Sequence, residues 1–326
     1  MSIVLTGIKP TGDLHIGNYL GAIEPALKSA VGQNSYFFIA DLHALNKEKD
    51  PQKIHQYTLS IAAAWLASGL DPQKIVFYRQ SDIPQVSELT TLLSAVTQKS
   101  LMNKAHAYKA ARDENLQKKR DPDAGINMGL YTYPVLMAAD ILLLQTNLVP
   151  VGQDQVQHVE ITQDIAQNFN RTYGQPVFTI PQYFIQPDLA TVPGIDGRKM
   201  SKSYHNTIPL FTTPDIWEKV VKKIVTDSNI SDPKNSPLFL IYKAVAPESR
   251  SQNLLSDLEH KRIGWKEAKD RLLEAIITRF GDMSQDYFDW LNSPQKIEAI
   301  FAQGKEKVIP LAQKTLTSAQ KACGLI

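Results

Sequence analysis

Two stretches of this chain carry residue types that could act on a phosphate. The first is Pro10-Thr11-Gly12-Asp13-Leu14-His15-Ile16-Gly17-Asn18-Tyr19, between a short apolar run and a longer helix-like one. A strand-to-helix turn aims free backbone N–H groups beyond the carboxyl edge of a sheet, which suits an anion. Gly17 removes a side chain where a planar base could approach closely. His15 and Asn18, three apart on an opening helical turn, can reach one ligand. The second stretch, Gly197-Arg198-Lys199-Met200-Ser201-Lys202-Ser203, is a cationic strap able to close over polyphosphate. Taken alone, the first also reads as a tight turn with a capped helix and the second as a solvated basic loop. The chain has no Gly-x-x-x-x-Gly-Lys-Ser/Thr, Gly-x-Gly-x-x-Gly, Cys-x-x-Cys or His-Glu-x-x-His pattern, the commoner signatures of phosphate, dinucleotide and metal sites.

The elements around these stretches alternate. Ile3 to Thr6, Ser35 to Ala40, Lys74 to Arg79 and Leu148 to Val151 read as strands, and Ile16 to Ala30 as a helix. Asp50-Pro51 supplies a cap and a first-turn proline for a second helix through Leu70. Strands separated by helices predict an α/β fold with a Rossmann-like parallel sheet covered on both faces. After about Pro193 strand signals fade, and helices are expected near 214–228, 251–262, 265–280, 284–302 and 305–323. The division predicted is a sheet domain over 1–191, a linker over 192–203 and a helical domain over 204–304. The terminal helix, about 305–326, is left free to pack back on the sheet domain.

Composition narrows the class. With 326 residues, 43% hydrophobic and 21% charged, the chain is neither disordered nor a disulfide-stapled miniprotein. A formal net charge of +2 neither demands nor forbids a nucleic-acid partner. The single Cys323 excludes an intrachain disulfide and a cysteine-based zinc site. No apolar run approaches the ~20 residues that span a bilayer. A soluble, cytoplasmic protein without a secretory leader is expected.

The two stretches together resemble the paired signatures of class I aminoacyl-tRNA synthetases. His15-Ile16-Gly17-Asn18 is similar to the HIGH signature, and Lys199 to Ser203 spells KMSKS in full. Within that class the chain resembles the bacterial tryptophanyl-tRNA synthetase family from end to end. The residues that carry the resemblance are Thr6 to Gly12, Asp41-Leu42-His43-Ala44, Tyr133-Pro134-Val135-Leu136-Met137-Ala138-Ala139-Asp140 and Val151-Gly152-Gln153-Asp154-Gln155.

Tyr133, Met137 and Asp140 fall at i, i+4 and i+7, so a helix would put them on one face. An acid in that apolar run is costly unless paired, and a carboxylate suits the single N–H of an indole. The tyrosine enzymes tend to carry glutamine where this chain has Met137, because a phenol both donates and accepts. The resemblance implies that Tyr133 and Gln155 hold the substrate ammonium while His43, Val149 and Leu5 line the pocket. A satisfied histidine at a strand end stays open for His43. The family likeness also implies ribose contacts by Gly152, Gln153 and Asp154 and an adenine contact at Val192. ATP would further meet Lys9, Pro10, Thr11, Gly17, Asn18, Lys199, Met200, Ser201, Lys202 and Ser203. Two positions depart from the family pattern: Lys9 stands where glutamine is common, and Leu5 where an aromatic is frequent.

The activity implied is tryptophan–tRNA ligation in two steps, adenylate formation from L-tryptophan and ATP, then transfer to the 2′-hydroxyl of tRNA(Trp). His15, Asn18, Lys199 and Lys202 would carry the first step, with Lys109 a second cation and Mg²⁺ held mainly by the phosphates. No metal ligated by the protein alone and no organic cofactor are expected. A homodimer is implied, with the helical domain reading the anticodon. Lys99, Lys104, Lys109, Arg112, Lys118, Lys119 and Arg120 form a basic stretch that is either a tRNA contact or a solvated face. Trp217, Trp265 and Trp290 are expected in the core. The rival readings are a tyrosyl-tRNA synthetase, a nucleotidyltransferase of the same fold and an idle RNA-binding paralogue.

Overall fold

A computed structural model of the chain describes residues 2–10, 12–185, 192–227 and 230–326, the side chain of Asp154 excepted. β1 (Ile3–Ile8) runs through the His15 turn into α1 (Ile16–Asn18), a wider π-type turn at Tyr19–Ile23 and α2 (Glu24–Ala30). β2 (Asn34–Ile39) leads to the short α3 (Asp41–Ala44) and to α4 (Pro51–Ala67). The Asp50 carboxylate caps α4, accepting from the Gln52 and Lys53 N–H groups at 2.9 and 3.3 Å. β3 (Val76–Arg79) ends in a tight turn over Gln80–Asp82. Then come α5 (Gln85–Val96), α6 (Lys99–Met102), α7 (His106–Gln117) and α8 (Met128–Leu143). β4 (Leu148–Val151), α9 (Val156–Thr172) and β5 (Gln182–Ile185) complete the α/β part.

Among the described residues the five strands form one parallel sheet in the order β3-β2-β1-β4-β5. Strand addition reverses direction between β1 and β4, so a crevice opens beyond their carboxyl ends, where open α/β sheets bind ligands. Period-two alternation sorts the side chains onto two cores. Phe37, Ile39 and Phe77 join one cluster with Trp65 of α4. Tyr36, Phe38 and Tyr78 join the other with residues of α5, α8 and α9.

The rest is helical: α10 (Pro214–Lys222), α11 (Pro237–Val245), α12 (Glu248–Glu259), α13 (Trp265–Leu291) and α14 (Pro294–Ala322). Where the sequence suggested three helices over 265–323, the chain forms two long ones. In α13 a continuous buried face of Leu272, Ala275, Ile276, Phe280 and Ser284 carries the helix past Gly281, whose intrinsic cost is only about 1 kcal/mol. In α14, Gly304 is a close approach and not a break: a Cβ there would lie 2.0 Å from the Phe77 carbonyl oxygen of β3. The expected division at 304/305 therefore falls inside one helix. That helix presses Phe301 on Phe77 (ring centroids 5.3 Å apart) and seats Val308, Ala312 and Leu316 in the second core.

α11 and β5 were not anticipated. α11 does carry a start signal, since Ser236 Oγ accepts from the Phe239 N–H at 3.2 Å and Pro237 is its first residue. β5 is exposed at all four positions and offers no alternation to read. Trp217 is fully buried, and Trp265 and Trp290, half-buried, pack against the first core at its edge. Arg279 of α13 joins the two parts, donating to both Glu24 carboxylate oxygens at 3.0 and 3.1 Å and to the Ala244 and Val245 carbonyls. Among the described residues no helix is long and apolar enough to cross a membrane.

Candidate active site

The His15 turn lies beyond the carboxyl end of β1, and the KMSKS loop folds beside it. The segment after the loop ties them together: the Ile16 N–H donates to the Ile208 carbonyl and the Leu210 N–H to the Leu14 carbonyl, both at 3.0 Å. Gly12 has a positive φ of 26°, and a Cβ there would come within 3.3 Å of the Lys202 ammonium. Thr11 lies outside the described residues, while Pro10 is buried beside it.

Asn18 Oδ1 accepts from the His15 N–H at 3.0 Å, which fixes the opening turn. A Cβ on Gly17 would meet the His15 ring at 3.0 Å and the Met200 sulfur at 3.5 Å. The missing side chain thus makes room for these two groups as well as for a base. Burial, then the Lys202 charge, pushes the His15 pKa down to about 4, so its imidazole is neutral near pH 7. Partial desolvation holds the exposed Lys202 somewhat below the usual lysine range, opposed by Asp13.

The loop itself is built on Asn206, which is buried. Asn206 Oδ1 accepts from the Ser201 N–H at 2.8 Å, and its Nδ2 donates to Asp196 Oδ1 at 2.6 Å and to the Lys199 carbonyl at 3.1 Å. The Met200 N–H donates to the Val192 carbonyl at 3.3 Å. Met200 and Val192 are buried, while Lys199, Lys202 and Ser203 are exposed and Ser201, half-buried, shares a hydrogen bond with Ser203 at 2.9 Å. Lys9 reaches solvent at the end of β1, its pKa lowered by partial desolvation and then by Lys47. Across the crevice, Gly152 and Gln153 are exposed where β4 ends, and the backbone of Asp154 follows in the same short turn. Lys109 is exposed on α7, and no described contact joins it to either motif.

The remaining candidates gather on α8 and around it. Asp140, 4% exposed, has its carboxyl pushed above the usual aspartate range by burial, with His43 and Gln80 opposing the shift. His43 Nε2 lies 3.1 Å from Asp140 Oδ2, and Gln80 Nε2 donates to both carboxylate oxygens at 2.9 Å. Met137 is half-buried one turn before Asp140. The Tyr133 hydroxyl hydrogen-bonds to His158 Nε2, its ring centroid is 6.4 Å from that of His43, and burial pushes its pKa up to about 12. Leu5 and Val149 are buried on β1 and β4, and Gln155 is half-buried at the start of α9.

Sequence reasoning missed Gln80, His158 and Asn206. For Gln80 the one available signal was its place directly after a strand, at the sheet's carboxyl edge. His158 sits one helical turn after Gln155, and Asn206 lies three residues past the lysine motif.

A parallel sheet whose switch point carries a neutral histidine turn stitched to a lysine loop, with a buried carboxylate on α8, is the arrangement expected of a nucleotide-dependent class I synthetase. The family described as tRNA synthetases class I (W and Y) matches residues 1–281, and the chain belongs to it. It is 46% identical over 330 residues to the tryptophan–tRNA ligase of Pseudomonas putida, covering 99% of this chain and 73% of that protein. The Xylella fastidiosa ligase of the same name is 49% identical over 307 residues, covering 92% and 70%. The structure of Campylobacter jejuni tryptophanyl-tRNA synthetase complexed with ADP and tryptophan matches 99% of both chains, at 39% identity and a TM-score of 0.90.

Proposed function

We infer that the chain activates L-tryptophan with ATP and transfers it to the 2′-hydroxyl of the terminal adenosine of tRNA(Trp). The observation that carries the amino-acid choice is the buried Asp140 carboxylate, with Met137 a turn away on the same helix. A carboxylate accepts the lone N–H of an indole, and methionine packs on its rings without a polar demand. Tyr133 and Gln155 hold the substrate ammonium. The Tyr133 hydroxyl can accept from it while remaining bonded to His158. His43, Leu5 and Val149 close the pocket.

In the first step the tryptophan carboxylate attacks the α-phosphate of ATP and pyrophosphate leaves. His15, neutral, donates an N–H to the phosphates, and Asn18 with the Gly17 backbone aligns the same end. Lys199 and Lys202 neutralise the leaving pyrophosphate, with Lys109 approaching from the other wall. Pro10, Thr11 and Lys9 flank the triphosphate. Gly152, Gln153 and Asp154 bind the ribose, and Val192 and Met200 flank the base, with Ser201 and Ser203 shaping the strap. In the second step the tRNA hydroxyl attacks the acyl carbonyl of the adenylate and AMP leaves.

Among the described residues no three His, Cys, Asp or Glu side chains converge as metal ligands, and beside Gly12 the cationic Lys202 and the neutral His15 are accompanied by a single carboxylate, Asp13. That donor set fits a Mg²⁺ ion carried by the triphosphate, where it would offset phosphate charge. The helices after residue 203 read the anticodon, the enzyme works as a cytoplasmic homodimer, and the basic residues of α6 and α7 face tRNA. Charging of tRNA(Trp) tests this reading. Purified protein should form tryptophanyl-tRNA from tryptophan, whereas tyrosylation of tRNA(Tyr) would overturn it.

A further inference from the structure

We propose that Gln80 is the positioning residue for indole recognition: it holds the Asp140 carboxylate in place, with one oxygen left able to accept the substrate N–H. This rests on the reading of Asp140 as the indole acceptor. Gln80 is completely buried in the turn that ends β3. Its Oε1 accepts from the Leu42 N–H of α3 at 3.1 Å, a proton shared with Asp41 Oδ1 at 3.0 Å. With the amide oxygen committed to that donor, its NH₂ group must face Asp140.

The NH₂ group spans both Asp140 oxygens at 2.9 Å, while His43 Nε2 meets only Oδ2. Oδ1 therefore has Gln80 as its one described donor and keeps acceptor capacity, since an ionised carboxylate offers about four lone-pair sites. Asp41 binds the same turn to α3, accepting from the Ser81 N–H at 3.0 Å and from the Ser81 hydroxyl. Gln80 is thus fixed on backbone at both ends, and through it the acid is fixed on the sheet. A carboxylate held by a neutral amide stays an acceptor without that donor bringing a charge into the pocket.

The test is ATP–pyrophosphate exchange by wild type, Gln80→Met and Gln80→Glu, each with L-tryptophan and with β-(3-benzothienyl)-L-alanine, which has sulfur in place of the indole N–H. Gln80→Met keeps the volume and removes the donor. Its KM for tryptophan should rise roughly 10- to 100-fold with kcat nearly unchanged, while its KM for the thienyl analogue stays close to wild type.

Gln80→Glu sets a second carboxyl against Asp140. Protonated, that carboxyl can donate as the amide did; ionised, it repels. Its KM for tryptophan should therefore be near wild type at about pH 6 and climb toward about pH 9. The other titratable groups facing Asp140 are His43 and Asp41 of α3 and Tyr78 of β3, with Tyr36 behind Tyr78. They are common to wild type, whose profile is the reference.

Equal losses on both amino acids, or a Gln80→Glu profile parallel to wild type, would overturn the proposal and leave Gln80 a structural residue. If Gln80→Met does not fold, the pH profile decides. A wild-type enzyme that does not exchange with tryptophan would instead overturn the function itself.

Discussion

Asp140 and Lys202 stand beyond the same sheet edge, and their surroundings are opposite. Asp140 is buried, and its donors come from α3 and from the turn after β3, so three elements fix one carboxylate. Lys202 is exposed on a loop whose shape depends on backbone hydrogen bonds and on Asn206. The first arrangement suits selection, because a buried polar group left unmatched is penalised heavily. The second suits charge that develops and departs, because a strap can close on a polyphosphate and reopen. On the proposed reading, the tightly held group is the one that chooses the amino acid, and the exposed one is the one that meets the phosphates.

The largest effect expected is at the strap. Lys202→Ala should lower the rate of adenylate formation about 10²- to 10³-fold, with the melting temperature unchanged because the side chain is exposed. A drop in melting temperature of several degrees would mean that the strap is structural and would break the contrast. Asp140→Ala leaves the Gln80 and His43 donors facing an empty space. Tryptophan kcat/KM should fall by about 10²-fold, accompanied this time by a measurable loss of stability in urea.

Asn206→Ala sharpens the comparison, because it loosens the loop without touching a lysine. Adenylate formation should slow by roughly 10-fold through misplacement alone, with KM for tryptophan unaffected. The smallest effect is on acid stability. The His15 pKa lies below its ordinary 6.5, at about 4, so between those values the unfolded chain binds more protons than the folded one. Stability should then fall as pH drops from 6.5 toward 4, by at most about 1.4 kcal/mol per pH unit for this one group. In His15→Gln that part of the slope should vanish from urea titrations.

These contrasts also mark what could be read in advance. The two stretches proposed to meet phosphate could be singled out because each is a run of contiguous residues, and β1 to β4 could be read because their apolar runs face two cores. Gln80 and Asn206 could not, since each acts only through partners brought near by the fold: Leu42 and Asp140 for one, Asp196, Lys199 and Ser201 for the other. The break expected between 302 and 305 contains Gly304, which the structure places inside α14. The reason for the glycine is the backbone of β3 lying where a Cβ would stand. Asp140 lay between these cases. Its position announced that it must be paired, while its partners stayed hidden.

On the proposed reading a buried carboxylate beside Met137 selects an indole, and tRNA-free ATP–pyrophosphate exchange by the wild-type protein decides it. With tryptophan and tyrosine supplied in separate reactions, strong exchange should occur with tryptophan and only background with tyrosine. Exchange with tyrosine at comparable or higher efficiency would contradict the pocket assigned here, and no exchange with either would contradict the activity.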